Sequence, residues 1–219
     1  MVKICAIADL HGNLCEIPAC DLLIIAGDIC PPTIHSVPLQ RCWLEGSFNY
    51  WLKSLKCDKI IGIWGNHDWI GLEKSYIPPL NWTLLEDSGV EYKGIKIWGS
   101  PWQPIFYNWA FNLSENDLEK KWALIPDDTD VLTVHGPPLG YGDLTKDYVN
   151  KKKELIPGKH VGSPSLTARI KNLPNLKVSI HGHIHPGYGK YYIGEKLIIN
   201  ASLVDESYKI ANSPILVEV

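Results

Sequence analysis

Val178-Ser179-Ile180-His181-Gly182-His183-Ile184-His185-Pro186-Gly187-Tyr188-Gly189 joins a short apolar run to three histidines at alternate positions. A strand repeats every two residues, so its continuation throws the three imidazoles to one side, and Gly182 permits a sharp turn at the strand end. Neutral imidazole is the commonest metal-ligating side chain, so the stretch reads as one part of a metal site whose other ligands lie elsewhere in the chain. A hydrated, histidine-rich loop is the plainer alternative.

Working outward from this stretch, the same design recurs. The apolar run Val2 to Ala8 ends at Asp9-Leu10-His11-Gly12-Asn13; Asp21 to Ala26 ends at Gly27-Asp28; Lys59 to Trp64 ends at Gly65-Asn66-His67-Asp68. Asp130 to Val134 ends at His135-Gly136-Pro137-Pro138. Continuous apolar runs of this length predict buried strands, and open α/β sheets build ligand sites at the C-terminal ends of such strands. Asp9 as a turn cap, Asn66 in a left-handed turn or His135 as an ordinary strand-end histidine would each be unremarkable alone. Five blocks in this order, with glycine beside the candidate ligands in several of them, predict one metal site.

The intervening segments supply the cover. Leu39 to Lys56 carries Leu39, Cys42, Trp43, Tyr50, Leu52 and Leu55 at helical spacing, which predicts one helix over the sheet. Gly89 to Gly99 alternates as a hairpin, and Ser100 to Trp109 is an aromatic loop. Ser114, with Asp117 three residues on, predicts a capped helix reaching Leu124. Leu139 to Gly162 reads as a long surface loop; Ser163 or Ser165 can cap a helix ending near Asn172; Lys190–Ile193 and Lys196–Ile199 form a hairpin, and Ile215 to Val219 a final strand. No repeat or linker interrupts the pattern, so residues 1–219 are expected to form a single α/β domain.

Composition narrows the partners. With 45% hydrophobic and 21% charged residues and a net charge of −3, the chain lacks the basic balance of a protein that wraps long nucleic acid. Lys151, Lys152 and Lys153 form its single basic cluster. The N-terminus reaches Asp9 before a signal-length apolar run forms, and no later stretch is long enough to span a bilayer. A cytoplasmic location without membrane contact is expected. Six cysteines, all before residue 58 and with no Cys-x-x-Cys pair, are read as reduced and mostly buried rather than as a zinc or disulfide framework.

The blocks Asp9-x-His11, Gly27-Asp28, Gly65-Asn66-His67-Asp68, His135 and Gly182-His183-x-His185 resemble the signature of the calcineurin-like metallophosphoesterase superfamily. Gly99-Ser100-Pro101-Trp102-Gln103-Pro104, Asn108-Trp109-Ala110-Phe111-Asn112, His135 to Gly140 and Ile199-Asn200-Ala201-Ser202 are similar to its metallophosphoesterase-domain-containing subgroup of phosphodiesterases, the MPPED proteins. The resemblance runs nearly the whole length. It implies a two-sheet β-sandwich flanked by helices, in αββα layers. It further implies two divalent ions, one held by Asp9, His11 and His185 and the other by Asn66, His135 and His183, with Asp28 between them. Some subgroup members replace the first histidine of the Gly-His-x-His block and lose metal affinity; His183 is present here, so the resemblance implies no such loss.

Two divalent ions about 3.5 to 4 Å apart can share a carboxylate and a hydroxide that attacks phosphorus in line. Oxygen and nitrogen ligands suit manganese first, and also iron, zinc or nickel. His67 is expected to act as acid on the leaving oxygen, with Asp68 orienting its other nitrogen and keeping it protonated. Asn66, His67, Tyr188 and Trp102 are candidate substrate contacts, and Trp102, Tyr107, Trp109, Tyr141 and Tyr188 lie in loops where a ring could stack on a base. His181 is read as a strand residue with a polar partner, His160 as an exposed loop histidine. The expected function is hydrolysis of small phosphodiesters, cyclic or short nucleotides among them. A phosphomonoesterase, whether nucleotidase or phosphoprotein phosphatase, is the alternative, followed by a nuclease; a non-catalytic protein-binding scaffold of the same fold is disfavoured because every ligand position is filled.

Overall fold

The computed structural model describes residues 1–219. In chain order its elements are β1 (Lys3–Ile7), β2 (Cys20–Ala26), α1 (Val37–Trp43), α2 (Asn49–Ser54), β3 (Cys57–Ile63), β4 (Thr83–Leu84), β5 (Ser88–Tyr92), β6 (Ile95–Ser100), β7 (Gln103–Pro104), β8 (Asn112–Leu113), α3 (Glu115–Trp122), β9 (Val131–Val134), β10 (Tyr148–Val149), β11 (Leu155–Ile156), α4 (Pro164–Asn172), β12 (Val178–His181), β13 (Gly189–Ile193), β14 (Lys196–Asn200) and β15 (Ile215–Glu218). One sheet has the order β15-β1-β2-β3-β4, parallel except for β15. The second has the order β13-β14-β12-β9-β6-β5, with a parallel centre and antiparallel edges.

The strand pleat explains the layers. Ile4, Ala6 and Ala8 of the first strand, Leu22, Ile24 and Ala26 of the second, and Ile61 and Ile63 of the third meet Ile97, Val131, Val178, Ile180 and Ile199 of the facing sheet. The alternate residues, Cys5, Ile7, Leu23, Ile25 and Ile60, pack outward under Leu44, Phe48, Trp51 and Leu52 of the α1–α2 segment. On the other side Leu132, Val134 and Ile198 are covered by Leu118 and Trp122 of α3 and Leu166 and Ile170 of α4. Strands buried on both faces need no polar alternation, which is why they read as continuous apolar runs. The layers are αββα, as expected from the resemblance.

Two helix starts follow the sequence reading. Ser114 accepts a hydrogen bond from the Asp117 N–H, and Ser163, rather than Ser165, caps α4 through the Leu166 N–H with Pro164 in the first turn. The single helix predicted over Leu39–Lys56 is instead interrupted by a π-helical turn at Leu44–Phe48. The buried face is formed by Gln40, Leu44, Phe48, Trp51 and Leu52, and Leu39 and Tyr50, expected on it, share the opposite face at 58% and 79% exposure. The expected loop 139–162 contains the β10–β11 hairpin. No helix is long and apolar enough to cross a membrane.

Candidate metal centre

Asp9 and His11 follow β1, Asp28 follows β2, Asn66, His67 and Asp68 follow β3, His135 follows β9, and His183 and His185 follow β12. Both sheets therefore deliver their strand ends to one end of the sandwich. The chain bends sharply to do so: Asp9, His11, Asp28 and His183 have φ of 53°, 44°, 53° and 70°, a left-handed backbone that non-glycine residues adopt at a cost and that clusters at functional sites.

All seven residues expected to hold metal converge. Asn66 Oδ1 lies 2.9 Å from His135 Nε2 and 2.7 Å from His183 Nδ1. Asp28 lies between the groups, 3.5 Å from His11 Nε2 and 3.4 Å from His135 Nε2, and accepts the His67 N–H at 2.7 Å. Asp9 Oδ1 and Oδ2 accept the His183 N–H at 3.0 and 2.9 Å, and Oδ2 also accepts the Ser202 hydroxyl. Donor atoms of Asp9, His11 and His185 lie within 4.8 Å of one another, as do those of Asp9, Asp28 and His135.

These residues fit divalent cations. Both ring nitrogens of His11 are buried without a protein partner, an arrangement that is costly unless a ligand completes it. His135 Nδ1 lies 2.9 Å from the Ala26 carbonyl and His185 Nδ1 3.0 Å from the Asp205 carbonyl. Each would donate its N–H there and leave Nε2 as the ligating nitrogen. Two glycines are required by close approach rather than by φ: a Cβ at Gly65 would meet Asp28 Oδ1 at 2.3 Å, and one at Gly182 would meet Asp9 Oδ2 at 2.4 Å.

Electrostatics point the same way. Burial, with the neighbouring histidines, holds His11 and His183 well below the usual imidazole range, and burial lowers His67 to about 4. Burial also opposes the charged form of His135, yet Asp28 and Asp9 pull it upward. Burial pushes Asp28 up to about 6, against the pull of His135. The imidazoles of His11 and His183, kept neutral beside an Asp28 carboxyl that burial holds back from ionising, form a donor set that a cation would favour.

Several sequence expectations are corrected. Asp68 does not bond to His67: its buried carboxylate accepts the backbone N–H groups of Ile29, Cys30 and Gly65. His67 is therefore not held protonated, and its lowered pKa makes it neutral near pH 7. Tyr188 packs against the inter-sheet core and donates to the Ser213 carbonyl. Trp102 packs into the layers beneath the helices, donates to Asp87 and lies under Lys121. Both rings are half-buried, with their polar atoms bonded to Asp87 and Ser213. His181 is fully buried in its strand, with the backbone of Tyr141 and Gly142 as the polar groups beside its ring. His160 is an exposed loop histidine, as expected, and it also pairs with the buried Asp143 at 2.7 Å.

Trp109 is the loop aromatic that reaches the centre, its ring 4.2 Å from that of His67 at an angle of 30°. Sequence reasoning missed Tyr208, which sits edge-on to His11 at 4.6 Å and also near His67 and His185. It missed Gln40, which donates to the His67 carbonyl and accepts the Ile70 N–H. No motif marks either residue. Ser202 was visible only within the Ile199–Ser202 block. Because its hydroxyl fixes Asp9, Ser202→Ala is expected to weaken manganese binding by about ten-fold with the fold intact, measured by calorimetric titration.

The comparisons agree with this architecture. The model of the calcineurin-like phosphoesterase family matches residues 2–187. Human metallophosphoesterase domain-containing protein 1 is 34% identical over 97% of this chain and 69% of its own length, and the mouse protein gives the same figures. A UPF0046 protein of Caenorhabditis elegans is 29% identical over 100% of the chain and 60% of its own length. Among solved structures, the phosphopantetheinyl hydrolase of Mycobacterium tuberculosis superposes with a TM-score of 0.56 at 13% identity, covering 94% of this chain and 90% of that one, which speaks to the fold alone. The family match takes in every strand end that carries a candidate ligand, and the chain belongs to the calcineurin-like phosphoesterase family of hydrolases.

Proposed function

We propose that the chain is a divalent-metal-dependent phosphodiesterase for small phosphodiesters, cyclic or short nucleotides among them. In this reading Asp9, His11 and His185 would hold one ion and Asn66, His135 and His183 a second, with Asp28 between the two groups; manganese would suit the mixed oxygen and nitrogen donors. When bound, such ions supply Lewis acidity and lower the pKa of water. The side chains do the rest. Ser202 and the His183 N–H fix Asp9, and the His67 N–H fixes Asp28. The His67 ring, braced between Trp109 and the edge of His11, would donate its one N–H to a phosphoryl or leaving oxygen.

Preference for diesters rests on one observation: no guanidinium belongs to the centre. The chain has two arginines, and Arg41 and Arg169 pair with Glu45 and Asp127 on the covering helices. Lys146, which lines a cavity of about 520 Å³ beside His183 and His185, is paired with Glu206. A monoester dianion brings an additional charge that these residues leave unmatched. With manganese, kcat/KM for bis(p-nitrophenyl) phosphate is expected to exceed that for p-nitrophenyl phosphate by at least about ten-fold. The reverse preference would favour a phosphomonoesterase.

A further inference from the structure

The β10–β11 hairpin rises beside the metal centre, and its turn is built rather than loose. Asn150 Oδ1 accepts the N–H groups of Lys152 and Glu154 at 2.8 and 3.0 Å, and Asn150 Nδ2 donates to the Glu154 carboxylate. At the base, Asp147 accepts the Gly158 N–H and Thr145 pairs with Lys159. This framework holds Lys151, Lys152 and Lys153 exposed at the tip, none of them in an ion pair, while Glu154 is occupied by Asn150 and Lys146 by Glu206. Residues 144–161 carry five lysines and two carboxylates in a chain of net charge −3.

The flanks of the tip are apolar and open to solvent: Tyr148 is 59%, Val149 64% and Leu155 67% exposed. A second such rim faces it across the site. Ile105, Phe106 and Tyr107 are exposed, and the Phe106 ring lies 5.9 Å from that of His183, while Tyr148 lines the cavity that His183 and His185 share. Two exposed apolar segments thus flank His183, one of them tipped with three unpaired cations.

We propose that this face docks on an anionic phospholipid surface, with the apolar side chains entering the interfacial region, the tip lysines on lipid phosphates and the metal centre at headgroup level. Clustered lysines beside exposed aliphatic and aromatic residues match the two attractions that such a surface offers. A long nucleic acid matches them poorly, because its backbone gives Val149, Leu155 and Ile105 nothing apolar to cover and because the cations are confined to one tip. The assignment does not depend on the substrate of the metal centre, and binding alone tests it.

The full chain is mixed with vesicles of phosphatidylcholine alone, or of phosphatidylcholine with phosphatidylserine, and partition is measured by flotation. Binding is expected to the mixed vesicles and to be much weaker on the neutral ones. Each lysine near an anionic surface contributes about five-fold, so the triple variant Lys151→Gln, Lys152→Gln, Lys153→Gln should weaken partition by about 100-fold. Val149→Asp with Leu155→Asp should also release the protein, and both variants should keep the wild-type circular dichroism spectrum. Failure to bind mixed vesicles, or equal binding to neutral ones, overturns the proposal. So does tight binding to polyglutamate or single-stranded DNA that Val149→Asp with Leu155→Asp leaves intact. Self-association lost in that same variant would assign the face to a second copy and would also overturn it.

Discussion

His67→Ala is expected to lose on the order of 10² to 10⁴ in turnover while retaining the fold and metal binding. The backbone explains the separation. What holds Asp28 is the His67 N–H, at 2.7 Å, and alanine keeps that bond. What is lost is the ring, which stacks under Trp109 and stands edge-on to His11 at 4.6 Å. Burial lowers this imidazole to about 4, so from mildly acidic pH upward it is a neutral donor. The kcat/KM profile should therefore show no loss of activity with an apparent pKa near 6.5, as a resting imidazolium would require. Near-wild-type turnover in His67→Ala, with metal bound, would remove the residue from the chemistry.

Asp68→Ala is expected to act on stability first. Its carboxylate accepts the N–H of Gly65 at 2.8 Å, of Cys30 at 2.9 Å and of Ile29 at 3.0 Å, so it ties the turn after β3 to the turn after β2. Removing it leaves three buried donors unpaired, each worth roughly 1 to 3 kcal/mol. A loss of about 3 kcal/mol or more should appear as an earlier midpoint in urea, and metal affinity should fall because Asp28 and Asn66 ride on those two turns. If Asp68 instead acted by orienting His67, the variant would lose turnover at unchanged stability.

Asp68 also shows where sequence reading stops. A carboxylate following Asn-His invites pairing with the histidine, but its actual partners include backbone groups 38 and 39 residues away, and no local pattern encodes them. The strand ends were legible because two physical signals coincide there: a continuous apolar run, and an abrupt switch to Asp, Asn or His, with glycine beside several of them. Gly65 and Gly182 belong to that signal because a Cβ would collide with Asp28 or Asp9. Tyr208 has no such marker, since it reaches His11 from a loop set by tertiary packing. Trp102 and Tyr188 look like loop aromatics by position, yet the Asp87 carboxylate and the Ser213 carbonyl draw their polar atoms away from the site. The segment after Leu39 misleads in another way, because Leu39 and Tyr50 lie on its solvent face while Leu44, Phe48, Trp51 and Leu52 make the buried one.

Hydrolysis by this site is expected to depend on bound metal, and one measurement addresses it. Protein stripped with a chelator and dialysed is assayed on bis(p-nitrophenyl) phosphate before and after stepwise addition of manganese, with bound metal counted in parallel. No turnover is expected in the stripped protein, with recovery as metal fills the site and loss of both metal and turnover in Asp28→Asn. Undiminished turnover in the stripped protein, or bound manganese with no turnover of any phosphoester, would contradict this expectation.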